Sequence, residues 1–310
     1  MVTNLRHVAL TVPDPAVGVQ FYKDLGLESD TSENRAILRC HGRDQDQIIL
    51  LEGAKRCLQH ICLGTSDKRF KTLQARIEAA TKIIDAPVET PSDGIWCLDP
   101  DGIYLNIVAA DPATSLGGPE TKEPVKASAI NTPGHFNRIG QRAAPFRGRK
   151  NRPRRLGHLL QFTTDVNRKV RFYTEVLGFL LADQVGDALA WLYCDGGSDH
   201  HVMAFASSHG SGLHHVSFEL GDVDEVGQLA MQMLEKGHRD GWGFGRHAIG
   251  SNYFHYIRDP WMGLAELYCD MDYIPAGMEW KPRDWPVEDS LYAWGPGVPD
   301  DFVTNYEGLE

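Results

Sequence analysis

The sequence contains one pattern written twice, and this internal repeat constrains the fold more than any other feature. The first copy begins at residue 5 with LRHVALTVPDPAVGVQFYKDLGLE, and the second begins at residue 156 with LGHLLQFTTDVNRKVRFYTEVLGFLL. A second pair of segments follows, LQHICLGT and LHHVSFEL, and a third pair, IWCLDPDGIYLNIV and YFHYIRDPWMGLAEL, closes each copy. A chain built in this way should fold as two related domains.

Each copy reads as a strand, a helix and further strands, twice over. The opening segments alternate in side-chain character, and the segments that follow have helical periodicity that ends at Gly26 and Gly178. We therefore expect an α+β fold with four βαβββ units in two tandem domains, each an open, half-barrel-like mixed sheet with outer helices. The polar segment 110–155 should link the copies, which divides the chain into domains 1–145 and 146–310. The last 41 residues, 270–310, contain three tryptophans and many prolines, which predicts an irregular arm packed over the second domain.

Composition narrows the classes of function that remain. A net charge of −11 argues against nucleic acid as the main partner. The chain has no signal-like start and no run of about 18 apolar residues, so we expect no membrane contact and a cytoplasmic location. Six cysteines occur without a C-x-x-C pair, which indicates buried apolar side chains rather than zinc ligands or disulfides. The basic run RGRKNRPRR predicts a solvated linker.

Three polar positions recur in the two copies at similar intervals. In the second copy, intervals of 57 and 51 residues separate His158, His215 and Glu266. In the first copy, intervals of 53 and 46 residues separate His7, His60 and Asn106. The third position stands seven residues after the Asp of an Asp-Pro pair in both copies. Such a recurrence indicates a shared structural site that only the second copy equips with a carboxylate.

The three positions of the second copy match a known ligand set. Two imidazoles and one carboxylate, with coordination positions left open, hold non-haem iron(II) in proteins that react with oxygen. We therefore predict a mononuclear Fe(II) site at His158, His215 and Glu266, with Mn(II) as the alternative metal. His215 is preferred to His214 because successive residues of a strand point to opposite faces. In the first copy Asn106 replaces the acid, and we expect that domain to hold no metal and to serve packing and assembly.

Three further side chains of the second copy are candidates for proton chemistry, namely His200, His247 and Tyr256. A histidine exchanges protons near neutral pH, and a tyrosine hydroxyl donates hydrogen bonds to a metal-bound oxygen. The structural alternatives are surface positions for the two histidines and a core position for the tyrosine. Structural roles are predicted for the histidines that lack support from the repeat or from spacing, which are His201, His209, His214 and His255.

These motifs resemble those of the type I extradiol ring-cleavage dioxygenases of the vicinal oxygen chelate superfamily, such as catechol 2,3-dioxygenase and dihydroxybiphenyl dioxygenase. The resemblance spans roughly residues 5–290 and rests on LGHLLQFTTD, FYTEVLGF, DHHVMAF, GLHHVSFEL and GRHAIGSNYFHYIRDPWMGLAELYCDMDY, in that order. It implies that His158, His215 and Glu266 are iron ligands and that His200 is the acid–base group facing O2. It also implies that His247 and Tyr256 bond to the bound diol.

The resemblance further implies a reaction and an assembly. A catechol-type diol would be cleaved by O2 beside its hydroxyl groups, giving a product of the 2-hydroxymuconate-semialdehyde type in the degradation of aromatic compounds. The active form would be a homo-oligomer, with a tetramer favoured.

Two other classes of function stay open, because the same βαβββ units serve other reactions. An isomerase or lyase would use a divalent metal without O2 and would be expected to recruit a fourth protein ligand. A metal-free binding protein would have no use for the three ligand positions together. Metal analysis of the purified protein separates these classes.

Overall fold

The structure is a computed structural model that describes residues 1–32, 35–87, 90, 93–112, 131–140 and 151–308. The domain boundary predicted near residue 145 lies outside these residues and stays a prediction. Within them, every helix is too short or too polar to cross a lipid bilayer. The six cysteines carry free thiols, and all except the half-buried Cys57 are buried, as predicted.

The described residues of the first half form one mixed sheet of eight strands. The strands are β1 (Asn4–Val12), β2 (Glu28–Ser32), β3 (Arg35–Arg39), β4 (Ile48–Glu52), β5 (Cys57–Thr65), β6 (Ile83–Ile84), β7 (Ile95–Leu98) and β8 (Tyr104–Ala109). They are hydrogen-bonded in the order β2-β3-β4-β1-β5-β8-β7-β6. Two helices connect strands on the outside, α1 (Pro15–Asp24) and α2 (Asp67–Ala80).

The described residues from 151 onward form a second mixed sheet. The strands of this half are β9 (Arg155–Thr163), β10 (Phe179–Val185), β11 (Leu189–Cys194), β12 (Gly197–Asp199), β13 (Met203–Ser207), β14 (Gly212–Glu219), β15 (Arg239–Arg246), β16 (Tyr253–Arg258), β17 (Leu264–Cys269), β18 (Tyr273–Pro275) and β19 (Arg283–Asp284). Nine of them are ordered β15-β16-β17-β14-β9-β13-β11-β10-β19, while β12 pairs with β18. The helices are α3 (Val166–Arg171), continued by a π-helical turn at Phe172–Val176, and α4 (Val223–Glu235).

Local sequence explains where these helices begin and end. Asp14, Asp165 and Asp222 precede α1, α3 and α4, and each side chain accepts a hydrogen bond from a backbone N–H of the first turn. Gly26 and Gly178 follow the first and third helical segments with φ of +104° and +79°. A residue with a Cβ rarely adopts that backbone conformation, so the two glycines terminate the helices as predicted.

The prediction of an α+β fold with four βαβββ units is confirmed, with β12 as an added short strand in the third unit. The units meet through their first strands, since β1 pairs antiparallel with β5 and β9 pairs antiparallel with β14. Strand β14 also pairs parallel with β17. Strands β9, β14 and β17 therefore lie side by side, and they carry the three predicted metal ligands.

The C-terminal arm, residues 270–308, lies over the second sheet as predicted. Its strand β19 extends the sheet by pairing with β10. Trp280 and Trp285 pack against an apolar cluster formed by β9, β10, β11 and β13. Trp294, in contrast, remains 47% exposed.

The basic run corrects one prediction, because its described end is not a solvated linker. Arg155 begins β9, and its side chain forms ion pairs of 2.6 Å with both Asp199 and Glu219. Asn151 is buried. The ion pairs of Arg155 and the burial of Asn151 fix the start of the second sheet.

Candidate metal centre

Three side chains of the second sheet converge at one point. His158 on β9, His215 on β14 and Glu266 on β17 are 1%, 5% and 0% exposed. One potential ligand atom of each lies within 4.8 Å of the other two. Among the residues that the structure describes, this is the one group of three or more His, Cys, Asp or Glu side chains arranged in this way.

The donor atoms at this point suit a divalent metal ion. Nε2 of His158 lies 2.8 Å from Oε2 of Glu266, and Nε2 of His215 lies 3.5 Å from the same oxygen. Nε2 of His215 is buried without a hydrogen-bond partner among the described residues, which costs free energy unless an ion binds there. Burial, and then the neighbouring His214, lower the pKa of His215 well below its usual value, so this imidazole is neutral. The set fits Fe(II) or Mn(II).

Glu266 is held at both carboxylate oxygens. Oε1 accepts a hydrogen bond of 3.1 Å from Nδ2 of Asn252 and lies 3.4 Å from Nε2 of His247. Burial alone would raise the pKa of Glu266, but His158 above all, with His247 and His215, holds that pKa well below its usual range. The carboxylate is therefore charged at neutral pH, and Oε2 faces the two imidazoles.

His214 lines the same pocket as His215, although strand alternation predicts opposite faces. A register shift between Leu213 and His215, where β14 pairs with β9, marks a β-bulge at this point. The bulge re-aims His214, and the Nδ1 atoms of the two rings lie 2.7 Å apart. The prediction that His214 points away from the site is therefore wrong. Burial lowers the pKa of His214 to about 4.

The structure separates His200, the predicted acid–base group, from its neighbour His201. His200 is buried, but its Nε2 faces Oδ2 of Asp183 at 3.1 Å and its ring packs against Trp280. His201 lines the pocket instead, with its ring centroid 4.4 Å from that of His158. The pair precedes β13 in a loop, where strand alternation does not decide which side chain turns inward.

The other two predicted groups, His247 and Tyr256, both reach the centre. Nε2 of His247 lies 3.0 Å from the hydroxyl of Tyr256, while Nδ1 of His247 lies 2.6 Å from the carbonyl oxygen of Leu291. A carbonyl only accepts, so Nδ1 carries the proton in this contact. The Tyr256 ring stacks on Trp242 and lies 5.3 Å from the ring of His215. The arm thus orients His247 through Leu291.

These groups form the polar end of a pocket whose empty space, together with the solvent at its mouth, is about 690 Å³. The remaining walls are mostly apolar and consist of Leu160, Leu189, Trp191, Ala204, Ala206, Trp242, Ile249, Ser290, Leu291, Phe302 and Val303. No lysine or arginine of the described residues lines this pocket. The last four of these wall residues belong to the C-terminal arm, so the arm forms one side of the pocket.

Strand register arranges part of the wall in two rows beyond His158. Ala204 on β13 pairs with Leu160 on β9 and with Trp191 on β11, which forms the first row. Ala206 pairs with Leu189 in the second row. Because a strand rises about 3.3 Å per residue, the second row lies roughly 7 Å beyond the first.

The equivalent positions of the first sheet, His7, His60 and Asn106, make a different set of contacts. Nε2 of His7 lies 2.8 Å from Nε2 of His60. The side-chain oxygen of Asn106 accepts a hydrogen bond from Sγ of Cys62, and its nitrogen donates to the carbonyl of Asp93. The amide is thus bonded within the protein where the second copy has a carboxylate. That the first domain holds no metal stays a prediction.

The chain is similar to known proteins in sequence and in fold. A family model described as the Glyoxalase/Bleomycin resistance protein/Dioxygenase superfamily matches residues 155–267. Metapyrocatechase 2 from Cupriavidus necator is 38% identical over 310 residues, covering 99% of this chain and 93% of that relative. The chain belongs to the extradiol dioxygenases. The resemblance inferred from the sequence motifs is therefore confirmed.

A further relative and a solved structure are also similar to this chain. An iron-dependent extradiol dioxygenase from Rhodococcus jostii is 30% identical over 155 residues, covering 45% of this chain and 50% of that relative. The structure of an extradiol ring-cleaving dioxygenase from B. fuscum has a TM-score of 0.75 at 21% identity, covering 98% of this chain and 82% of that chain. The latter likeness establishes the shared fold alone.

Three residues near the site are not among the candidates predicted from the sequence. His201 and His214, which line the pocket, are predicted to have structural roles, and Asn252, which bonds to Glu266, is not singled out. The available signal was a pair of adjacent histidines in DHHV and another in LHHV. Deciding which histidine of each pair faces the pocket requires knowledge of the local loop or bulge. Asn252, which is fully buried against Glu266, carried no signal in the repeat.

Proposed function

We propose that this enzyme opens the ring of a catechol-type diol beside its two hydroxyl groups, with O2 as co-substrate. Fe(II), with Mn(II) as the alternative, would be held by His158, His215 and Glu266. The observation that carries this proposal is the buried cluster of two imidazoles and one carboxylate at the polar end of an apolar pocket. When bound, the metal ion supplies adjacent coordination positions for diol and O2. The product would be of the 2-hydroxymuconate-semialdehyde type.

Tyr256 and His247 are suited to hold the diol. Burial, and then Glu266, raise the pKa of Tyr256 well above its usual value, so its hydroxyl keeps its proton and remains a donor. With the Nδ1 proton of His247 directed to Leu291, Nε2 of His247 is left to accept from a hydroxyl. The pair can therefore take a proton from one substrate oxygen and donate a hydrogen bond to it.

We assign the acid–base role on the other side of the site to His201 rather than to His200. His201 lines the pocket beside His158, whereas His200 does not. His200 lies between His201 and Asp183, with its Nδ1 at 3.2 Å from Nδ1 of His201. This arrangement lets the Asp183 carboxylate and His200 orient the ring of His201.

The pocket walls favour diols whose ring substituents are apolar. A carboxylated catechol would bring a second anion into a pocket that no described cationic side chain lines. Alkyl or aryl groups would instead bury apolar surface against the second row, formed by Leu189 on β11 and Ala206 on β13.

The proposal is tested by metal analysis together with an aerobic assay of several catechols, in which the ring-opened product absorbs in the visible range. Glu266→Gln removes the charge that balances the dication, so stoichiometric metal and activity should both be lost while the fold remains. The matched change Asn106→Ala in the first domain should leave the metal content unchanged. A Glu266→Gln variant with full metal and full activity would contradict the assignment.

We also propose that the enzyme works as a homo-oligomer, with a tetramer favoured by the family resemblance. Phe136 and Ile139, between the two sheets in sequence, are 66% and 77% exposed, and such apolar side chains suit a contact between subunits. Sedimentation should show a species larger than the 34.5 kDa chain. A clean monomer at working concentration would refute this.

A further inference from the structure

His214 and His215 form a pair whose protons are linked. The bulge in β14 brings their Nδ1 atoms to 2.7 Å, a distance at which one nitrogen must donate and the other accept. Nε2 of His214 lies 2.8 Å from the carbonyl oxygen of Phe302. A carbonyl has no proton to give, so His214 carries a proton on Nε2.

The remaining protons follow from this contact. His214 is 5% exposed and, with its proton on Nε2, a neutral ring there offers only a lone pair at Nδ1. His215 must then donate from its own Nδ1. The neutral His215 ring is left with a lone pair at Nε2, which is the nitrogen that faces Glu266. The carbonyl of Phe302 therefore selects the form of His215 that can bind a metal.

We propose that His214 is a positioning residue for the metal ligand His215, and that docking of the C-terminal arm through Phe302 is coupled in this way to metal affinity. The inference rests on the proposed function for the identity of the ion. The ring nitrogen of a ligating histidine that does not face the metal usually bonds to a carboxylate, a carbonyl or water. Here Nδ1 of His215 bonds to His214, which in turn bonds to the carbonyl of Phe302. His158 offers a contrast, because its Nδ1 has no partner among the described residues.

The arm is well placed to transmit this effect. The ring of Phe302 is 6% exposed and contacts the rings of His214, Trp242 and Tyr256 at centroid distances of 4.7–5.0 Å. Five residues further on, the carboxylate of Glu307 accepts hydrogen bonds from the backbone nitrogens of Leu58 and Leu213 and pairs with Arg56 at 2.7 Å. Contacts of the Phe302 ring and of Glu307 thus hold the carbonyl of Phe302 in place.

Metal affinity measured without substrate tests the proposal. Titration of the metal-free protein with Mn(II), followed by electron paramagnetic resonance of the free ion, gives the dissociation constant. His214→Leu removes the acceptor for His215, and we expect roughly 10–100-fold weaker binding. His214→Asn places an amide oxygen near the position of Nδ1, so it should restore most of the affinity. His255→Gln, a buried histidine that does not line the pocket, is the matched control and should bind as the wild type does.

The outcomes separate this inference from the proposed function. Equal affinity of the wild type and His214→Leu would overturn the inference, and so would an Asn variant as weak as the Leu variant, since packing would then explain the loss. A wild type that binds neither Mn(II) nor Fe(II) would contradict the proposed function. In that case nitrogen-15 spectra of the histidine rings still decide, because they report the proton positions in the metal-free protein. We expect His215 protonated at Nδ1 and His214 at Nε2, and the opposite forms would refute the relay.

Coupling between two sites is reciprocal, so metal binding should also stabilise the arm. Amide hydrogen exchange of residues 298–306 should slow when Mn(II) is added to the wild type. The same addition to His214→Leu, at saturating Mn(II), should change the exchange less. Unchanged exchange of the wild-type arm on metal binding would overturn the coupling.

Discussion

The two rows of the pocket wall predict how a single substitution changes substrate choice. Ala206 lies in the second row, opposite Leu189 and roughly 7 Å beyond the row that contains Ala204. Ala206→Leu should fill the space for a ring substituent and leave the space for the diol ring itself. We expect the variant to process unsubstituted catechol nearly as well as the wild type does, and to process a catechol that carries a phenyl group poorly.

The magnitude follows from the apolar surface that the substituent would bury. Loss of about 100 Å² of phenyl burial, at about 25 cal/mol per Å², costs about 2.5 kcal/mol. This free energy corresponds to a decrease of roughly 70-fold in kcat/KM for the phenyl-substituted diol. With the diol ring beside the first row, unsubstituted catechol should not reach the second row, so its kcat/KM should change by less than about threefold.

The assay compares kcat/KM for both diols in three proteins, namely the wild type, Ala206→Leu and Ala204→Leu. Ala204→Leu is the matched control, because the same side chain in the first row should crowd the diol ring and impair both substrates alike. Thermal unfolding of each variant checks that the added side chain has not disrupted the sheet. If Ala206→Leu impaired unsubstituted catechol as strongly as the phenyl-substituted diol, the row assignment would be refuted.

Two further predictions concern histidines. His201→Asn should retain metal and lower turnover by roughly 10²–10⁴-fold, whereas His200→Asn should lower turnover much less. Steady-state kinetics of both variants measure this, and the reverse order would restore His200 to the acid–base role. In the first domain, burial lowers the pKa of His60 to about 3, so the unfolded chain binds this proton more tightly and stability is lost as pH falls from about 6.5 toward 3. Urea unfolding of metal-free protein should therefore show that the free energy of unfolding of His60→Gln falls by about 2 kcal/mol less than that of the wild type between pH 8 and pH 5. The control His209→Gln, at an exposed position, should match the wild type. Equal losses of unfolding free energy in His60→Gln and the wild type would contradict this.

The internal repeat predicted the fold because each copy had to satisfy the same strand and helix pattern. Register then follows: pairing of β14 with β9 on one side and β17 on the other places His158, His215 and Glu266 on adjacent strands. Spacing along the sequence could therefore nominate three residues that are more than 50 positions apart. His247 and Tyr256 were nominated instead by their proton chemistry and by the family resemblance, and Nε2 of His247 lies 3.0 Å from the hydroxyl of Tyr256.

The local details were beyond the sequence for a physical reason. Strand alternation assumes regular pairing along the whole strand. The bulge at His214 interrupts the pairing of β14 with β9 where alternation was used to choose between His214 and His215. In the same way, His200 and His201 lie outside a strand, and contacts with Asp183 and His158 decide which ring faces the pocket. Long-range contacts of this kind leave no periodic signal in the chain.

The first half of the molecule contributes to the site in the second half, because the two Asp-Pro turns are each bound by a cation from the other half. Oδ2 of Asp259 pairs with Arg56 of the first half at 2.8 Å, while Oδ2 of Asp99 pairs with Lys169 of the second half. In both turns Oδ1 of the aspartate accepts hydrogen bonds from two backbone N–H groups. These bonds fix the turn that leads into the strand carrying Asn106 or Glu266.

Arg56, the cation bound to the second turn, is connected to the metal site through two ion pairs. Asp259 begins the turn before β17, which carries Glu266, and Arg56 also pairs with Glu307 at the end of the arm that holds Phe302. A buried ion pair broken on one side leaves an uncompensated charge, which typically costs 3–5 kcal/mol. Loss of Arg56 should therefore disturb Glu266 through β17 and His215 through the arm. The first domain, which has Asn106 where the second has Glu266, would in this way help to shape the site of the second domain.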